Sequence, residues 1–145
     1  MPITVTINID KNAEVKRFLQ ATYKTGRSAD LKQQIAYNIQ ADTEESADKG
    51  LIDAMYDAWW ERCIVEMSEF VTEHDEDSVT LSLPSNWGGS RASLKYYMCE
   101  LIHNGMLGDW YDDVKPDIAT AFKKKAVLNQ VEISSTVYSC NAPSM

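Results

Sequence analysis

The chain holds few of the residues with which proteins do chemistry. There are two histidines, three cysteines and six glycines in 145 residues. His74 and His103 are far apart, and neither lies in an H-E-x-x-H run or a triad-like setting, so no metal or acid-base motif is formed. His103 reads as a polar-side residue of its helix. Cys63, Cys99 and Cys140 are odd in number and have no C-x-x-C spacing, which argues against a disulfide framework and a structural zinc site. Gly88 and Gly89 lack the spacing and the lysine of a phosphate-binding loop, and a turn feeding a helix capped by Ser90 accounts for them. DEDSVT, residues 75–80, begins like a calcium loop but lacks the glycine that bends such a loop and the glutamate that closes it. Glu66, Glu69 and Glu73 follow at helical-turn spacing, yet no Glu-x-x-His partner stands on another helix, so they read as a solvated acidic face. No catalytic, cofactor-binding or metal-ligating residue is expected, and the chain reads as a non-enzyme.

Positive charge is also scarce. Fourteen Lys plus Arg against twenty-two Asp plus Glu give a net charge of −8, which argues against a general nucleic-acid-binding surface. Lys123, Lys124 and Lys125 cluster on one turn and read as a solvated face. No apolar run approaches the roughly eighteen residues of a membrane span, and MPITVTINID lacks the pattern of a signal peptide. The expectation is a reduced, intracellular protein that meets no membrane.

What is present suits a folded domain. Hydrophobic residues make up 44% of the chain and charged residues 25%, and the length fits one domain with a real core. Ile3, Val5, Ile7 and Ile9 alternate with polar residues, which predicts a strand over 3–9; Val79, Leu81 and Leu83 predict a second at about 78–83. Between them, Asp10 caps a predicted helix over 11–24, with Val15, Phe18, Leu19 and Thr22 on one face. In residues 27–50, Leu31, Ile35 and Ile39 permit a helix opened by Ser28, and the ADTEESADKG that follows is acidic, polar and poorly patterned. The acidic start at Thr43 opens a long predicted helix over about 44–74, whose stripe runs Ile52, Met55, Tyr56, Trp59, Cys63, Met67 and Phe70. Trp59 is expected in the core. Further helices are predicted over 90–110, carrying Leu94, Met98, Leu101, Ile102 and Gly105, and over 116–133, opened by Pro116 and carrying Ile118, Phe122 and Ala126 towards Val131. The fold class is therefore mainly α: one small helical bundle over 1–145 with a minor two-stranded β element, a flexible N-terminal arm and a flexible C-terminal tail.

Four tryptophans exceed what a core of this size usually uses. Trp60, Trp87 and Trp110, with Tyr111, are the candidate interface residues, because aromatic side chains ringed by polar residues anchor protein contacts.

The order of an ITVTINID start, a long helix carrying AWWERC, the extended TLSLPSNW, a helix ending LGDWYDD and a last helix reading KPDIATAFKKKAVLNQV resembles small proteins from phages and prophages of gut Bacteroidetes. Those proteins look like the head-tail connectors or adaptors of tailed phages. The resemblance covers residues 43–133 most clearly. It implies a non-enzymatic structural protein of the virion neck, made in the bacterial cytoplasm. It further implies assembly as a homo-oligomeric ring, commonly twelvefold, between portal and tail proteins. DNA would be passing cargo without specific binding, and no cofactor is implied. The chain departs from one variant of the pattern by ending in EISSTVYSCNAPSM, where an arginine-rich segment would stand.

The alternative is a small acidic cytoplasmic binding or regulatory module, such as an anti-host, toxin-neutralising or DNA-mimic protein. A small hydrolase or transferase ranks third for want of a motif.

Overall fold

A computed structural model describes residues 2–25 and 47–140. The helix permitted by Leu31, Ile35 and Ile39, the acidic start at Thr43 and the NAPSM ending lie outside them. In chain order the described elements are β1 (Ile3–Asn8), α1 (Lys11–Thr25), α2 (Ala47–Glu66), β2 (Val71–His74), β3 (Ser78–Leu83), α3 (Arg91–Tyr111) and α4 (Pro116–Val137). The architecture is mainly α with a small antiparallel sheet, as the sequence patterns predict.

The sheet has three strands where two were expected, in the order β1-β3-β2. β1 pairs with β3 along its whole length, Ile3 opposite Leu83 and Asn8 opposite Ser78. This register puts Val5, Ile7, Val79, Leu81 and Leu83 on the buried face, because side chains two apart share a face. Across the outer face Thr6 Oγ1 and Thr80 Oγ1 meet at 3.2 Å. The N-terminal segment is thus a strand paired within this chain, in the two-stranded element expected of residues 3–9 and 78–83.

The third strand comes from residues expected to extend the long helix. α2 ends at Glu66, and the next turns are held by tighter bonds: Met67 N–H to the Ile64 carbonyl and Phe70 N–H to the Met67 carbonyl. Such shortened bonds commonly close a helix. The apolar spacing continues because Met67, Phe70 and Val71 still face the core in the turn. Val71, Glu73 and His74 then pair with the open edge of β3, with a register shift at Thr72, whose hydroxyl donates to the Thr80 carbonyl at 3.2 Å. The Asp75 carboxylate accepts from the Asp77 and Ser78 N–H groups, closing the hairpin and holding its own pKa below the usual value. DEDS is a turn.

Two expected caps are present. The Asp10 carboxylate accepts from Ala13 N–H at 3.2 Å, and Ser90 Oγ accepts from Ser93 N–H at 3.0 Å. Each satisfies an N–H that the first helical turn leaves unpaired. Pro116 opens α4, where its missing N–H costs nothing. α4 extends past the predicted end at 133 to Val137, since Ile133 and Val137 are both buried.

α3 is the central element, packing against α1, α2, α4 and β1. Its face towards α2 is cut flat at Gly105, where an added Cβ would stand 2.2 Å from the Trp59 indole. The Trp59 ring lies on bare backbone, its Nε1–H donates to Asp109 Oδ2 at 2.8 Å, and Arg62 covers it at 5.4 Å. Gly108 allows a similar approach to α4, whose Lys123 stem passes 3.0 Å from a would-be Cβ. Between the two helices the buried Asn104 donates to Asn129 Oδ1 at 2.8 Å, and Asn129 donates onward to Glu132 at 3.0 Å. A buried amide pair of this kind satisfies itself in only one register.

The α2 stripe is as expected at Ile52, Met55, Tyr56, Cys63 and Met67 and is widened by Trp60 and Ile64, and it differs at Trp59. Ile52, Met55, Tyr56, Trp60, Cys63, Ile64 and Met67 are buried, while Trp59 is half-buried at the shoulder. Trp60, not Trp59, is the core tryptophan.

Gly105→Ala should destabilise the protein. The added methyl gains about 1 kcal/mol of helix propensity but overpacks against the indole at a cost of about 1 to 3 kcal/mol. Urea denaturation should show the loss, and Trp59→Leu in the same chain should recover part of it. Asn104→Leu should cost about 1 to 3 kcal/mol by orphaning Asn129, and Asn129→Leu added to it should restore most of that stability.

Candidate functional site

The four aromatic residues expected at an interface lie in three separate places. Trp60 is only 2% exposed, and its Nε1–H donates to the Asp75 carbonyl at 2.8 Å, tying α2 to the β2–β3 turn. Tyr111 is fully buried: its hydroxyl donates to the Thr22 carbonyl of α1 at 3.4 Å, and its ring stacks on Phe122 of α4. Neither side chain is on the surface, which corrects the expectation of exposed anchors. The aspartates after Tyr111 suggested a wet setting, but they follow the end of α3, whereas Tyr111 is covered by elements distant in sequence.

Trp110 is half-buried, edge-on to Phe18 with ring centroids 5.5 Å apart. Trp87 is also half-buried, folded over Gly89, with its Nε1–H donating to the Thr136 carbonyl at 2.7 Å. Gly88 N–H donates to the Ser139 carbonyl at 2.7 Å, and Trp87 bridges to Cys140. The loop carrying Trp87 therefore fastens the end of α4 to the sheet. Beside it, Ser90, Ser93, Ser135, Thr136 and Ser139 line a small open hollow.

The exposed apolar surface is elsewhere. Val127, Leu128 and Val131 are each more than half exposed on the outer face of α4. With Thr120, Lys123 and Lys124 the first two line an open hollow. Val131 was expected at the end of the inward stripe; it faces outward because the buried positions run Ala119, Ala126, Asn129, Ile133 and Val137. Spacing three, four and seven residues from Lys124 was the available signal, since Val127, Leu128 and Val131 share the face of a solvated lysine. α2 has a counterpart in Leu51 and Val65, exposed at 51% and 63%.

A cluster of titratable side chains lies between α1, α2 and α3. Arg17 donates to Glu100 at 2.7 Å and stands 4.0 Å from Glu14, whose Oε2 is buried without a hydrogen-bond partner. Burial raises the Glu14 pKa, and Cys99, donating to that carboxylate, and Arg17 oppose the rise. Burial likewise raises the Tyr56 and Cys63 pKa values and pushes Cys99 up to about 12. These thiols stay protonated at neutral pH and lack the thiolate character of reactive cysteines. His103 is held down to about 4, first by burial and then by the charge of Arg17, with Lys125 adding to it and Glu100 opposing. It is half-buried rather than on the open polar side, and its Nδ1 has no partner. Among the described residues no group of three or more His, Cys, Asp or Glu could hold a metal ion, and no helix is long and apolar enough to cross a membrane.

His103 generates a pH dependence whose sign is set by its lowered pKa. The unfolded chain binds this proton near pH 6.5 and the folded chain near 4, so the contribution is complete above 6.5 and is lost as pH falls towards 4. Denaturation midpoints measured at pH 7.5 and pH 5 should therefore differ, and His103→Gln should reduce the difference. No family model matches the chain, and no curated protein and no solved structure matches it.

Proposed function

We propose that the protein is a structural component of a tailed-phage virion, a head-tail connector or adaptor that assembles as a ring between portal and tail. The observation that carries this reading is the outer face of α4, where Val127, Leu128 and Val131 stand exposed in an otherwise acidic protein. Exposed apolar side chains grouped on one helix face support a protein contact there. It falls on the last helix of a mainly helical chain whose order of segments resembles such connectors.

The negative charge suits a passage for DNA. An acidic wall repels the phosphate backbone, whereas a basic one would hold it through counterion release. Trp110, half-buried on Phe18, keeps part of its surface for contacts with neighbours in the neck.

The test is the composition and shape of particles. The protein should be found in purified tailed particles, with antibody label at the neck. Loss of its gene should leave filled heads without tails. Normal tailed particles made without the protein would remove this reading, and competition with DNA for a cytoplasmic partner would favour the DNA-mimic alternative.

A further inference from the structure

We infer that the outer face of α4 docks on the outer face of α2 of a second copy of this chain. The inference rests on the ring-forming reading above and names the surfaces that form the ring. Between Pro116 and Val131, α4 has three lysines and one aspartate; between Leu51 and Glu66, α2 has four carboxylates and one arginine. The faces are opposite in charge, and both expose large apolar side chains.

Their side chains also match in size and position. The outer stripe of α4 reads Ala121, Lys124, Leu128, Val131, and that of α2 reads Leu51, Ala54, Ala58, Glu61, Val65, all exposed. An antiparallel pairing that sets Lys124 against Glu61 brings Leu128 beside Ala58 and Val131 opposite Ala54, so large residues meet small ones. Neither Lys124 nor Glu61 has an ion-pair partner among the described residues, whereas Asp57 and Lys123 are engaged with Lys11 and Asp112.

Pairing α4 with its own copy would cover Leu128 but leave Leu51 and Val65 in water and bring two lysine clusters near each other. The mixed pairing covers both apolar faces and neutralises both charges. α3 packs against α2 and against α4, which touch each other only sparingly, so the two surfaces are distinct. A contact between two different surfaces of one subunit propagates and closes into a ring or continues as a filament.

Sedimentation velocity of the full chain over rising concentration tests the inference, with circular dichroism confirming that each variant is folded. The wild type should self-associate. Leu128→Asp, Glu61→Lys and Lys124→Glu should each weaken association by about tenfold or more. The double variant Glu61→Lys, Lys124→Glu should recover it. A wild type that stays monomeric at every concentration overturns the inference. So does association that Glu61→Lys leaves intact and Leu128→Asp abolishes, since α4 would then pair with itself. Rescue by the double variant, together with absence of the protein from particles, would keep the contact and remove the phage reading.

Discussion

The indole of Trp59 lies directly on the backbone of Gly105, and the rest of the bundle is arranged around that contact. α3 has neighbours on several sides, and a helix so surrounded must offer short side chains wherever another element comes close. Gly105 does this towards α2 and Gly108 towards α4. With the backbones this near, the Asn104 and Asn129 amides reach each other at 2.8 Å and fix how α4 lies along α3. Apolar packing alone would tolerate a slide of one turn, but a buried amide pair would not, because a slide leaves both groups unsatisfied.

The sheet is small, yet it closes one side of the core and ties together segments far apart in sequence. β1 at the start of the chain pairs with β3 beyond α2, and Trp60 reaches from α2 to the turn joining β2 and β3. The loop after β3 then turns back through Trp87 to hold the end of α4. Three of the four tryptophan indole N–H groups are used in this way, on Asp109, Asp75 and Thr136. Tryptophan is suited to the task because it buries a large apolar area and keeps one directional donor.

With the tryptophans largely committed to internal packing, the exposed apolar residues on α2 and α4 up to Val131 are aliphatic, set among charged ones. Leu51 and Val65 on α2 lie among carboxylates; Val127, Leu128 and Val131 on α4 lie beside lysines. Such a surface gains its selectivity from charge, which steers the approach and opposes the wrong pairing, while the apolar residues supply contact area. The cluster of Glu14, Tyr56, Cys99 and His103 serves the interior, where burial keeps the thiols and the histidine uncharged at neutral pH.

By itself the sequence determined the fold class, the caps at Asp10 and Ser90, Pro116 at the head of the last helix, and the pairing of the first strand with residues 78–83. The class, the caps and the proline depend on residues near one another in the chain, through helical spacing or a capping side chain, and the pairing rests on two locally alternating stretches that match across the chain. Only the tertiary structure decided that β2 is a strand, because Met67, Phe70 and Val71 face the core equally well in a helix or a turn, and the edge of β3 supplied the partner. It also decided which of two adjacent tryptophans is buried, since Trp60 reaches the β2–β3 turn while Trp59 lies at the shoulder on Gly105. Tyr111 was misread for the same reason: its neighbours in sequence are aspartates, and its neighbours in space are Thr22 and Phe122. Spacing along a helix marks which residues can be buried, and what arrives from elsewhere in the chain decides the positions at the edge of the stripe.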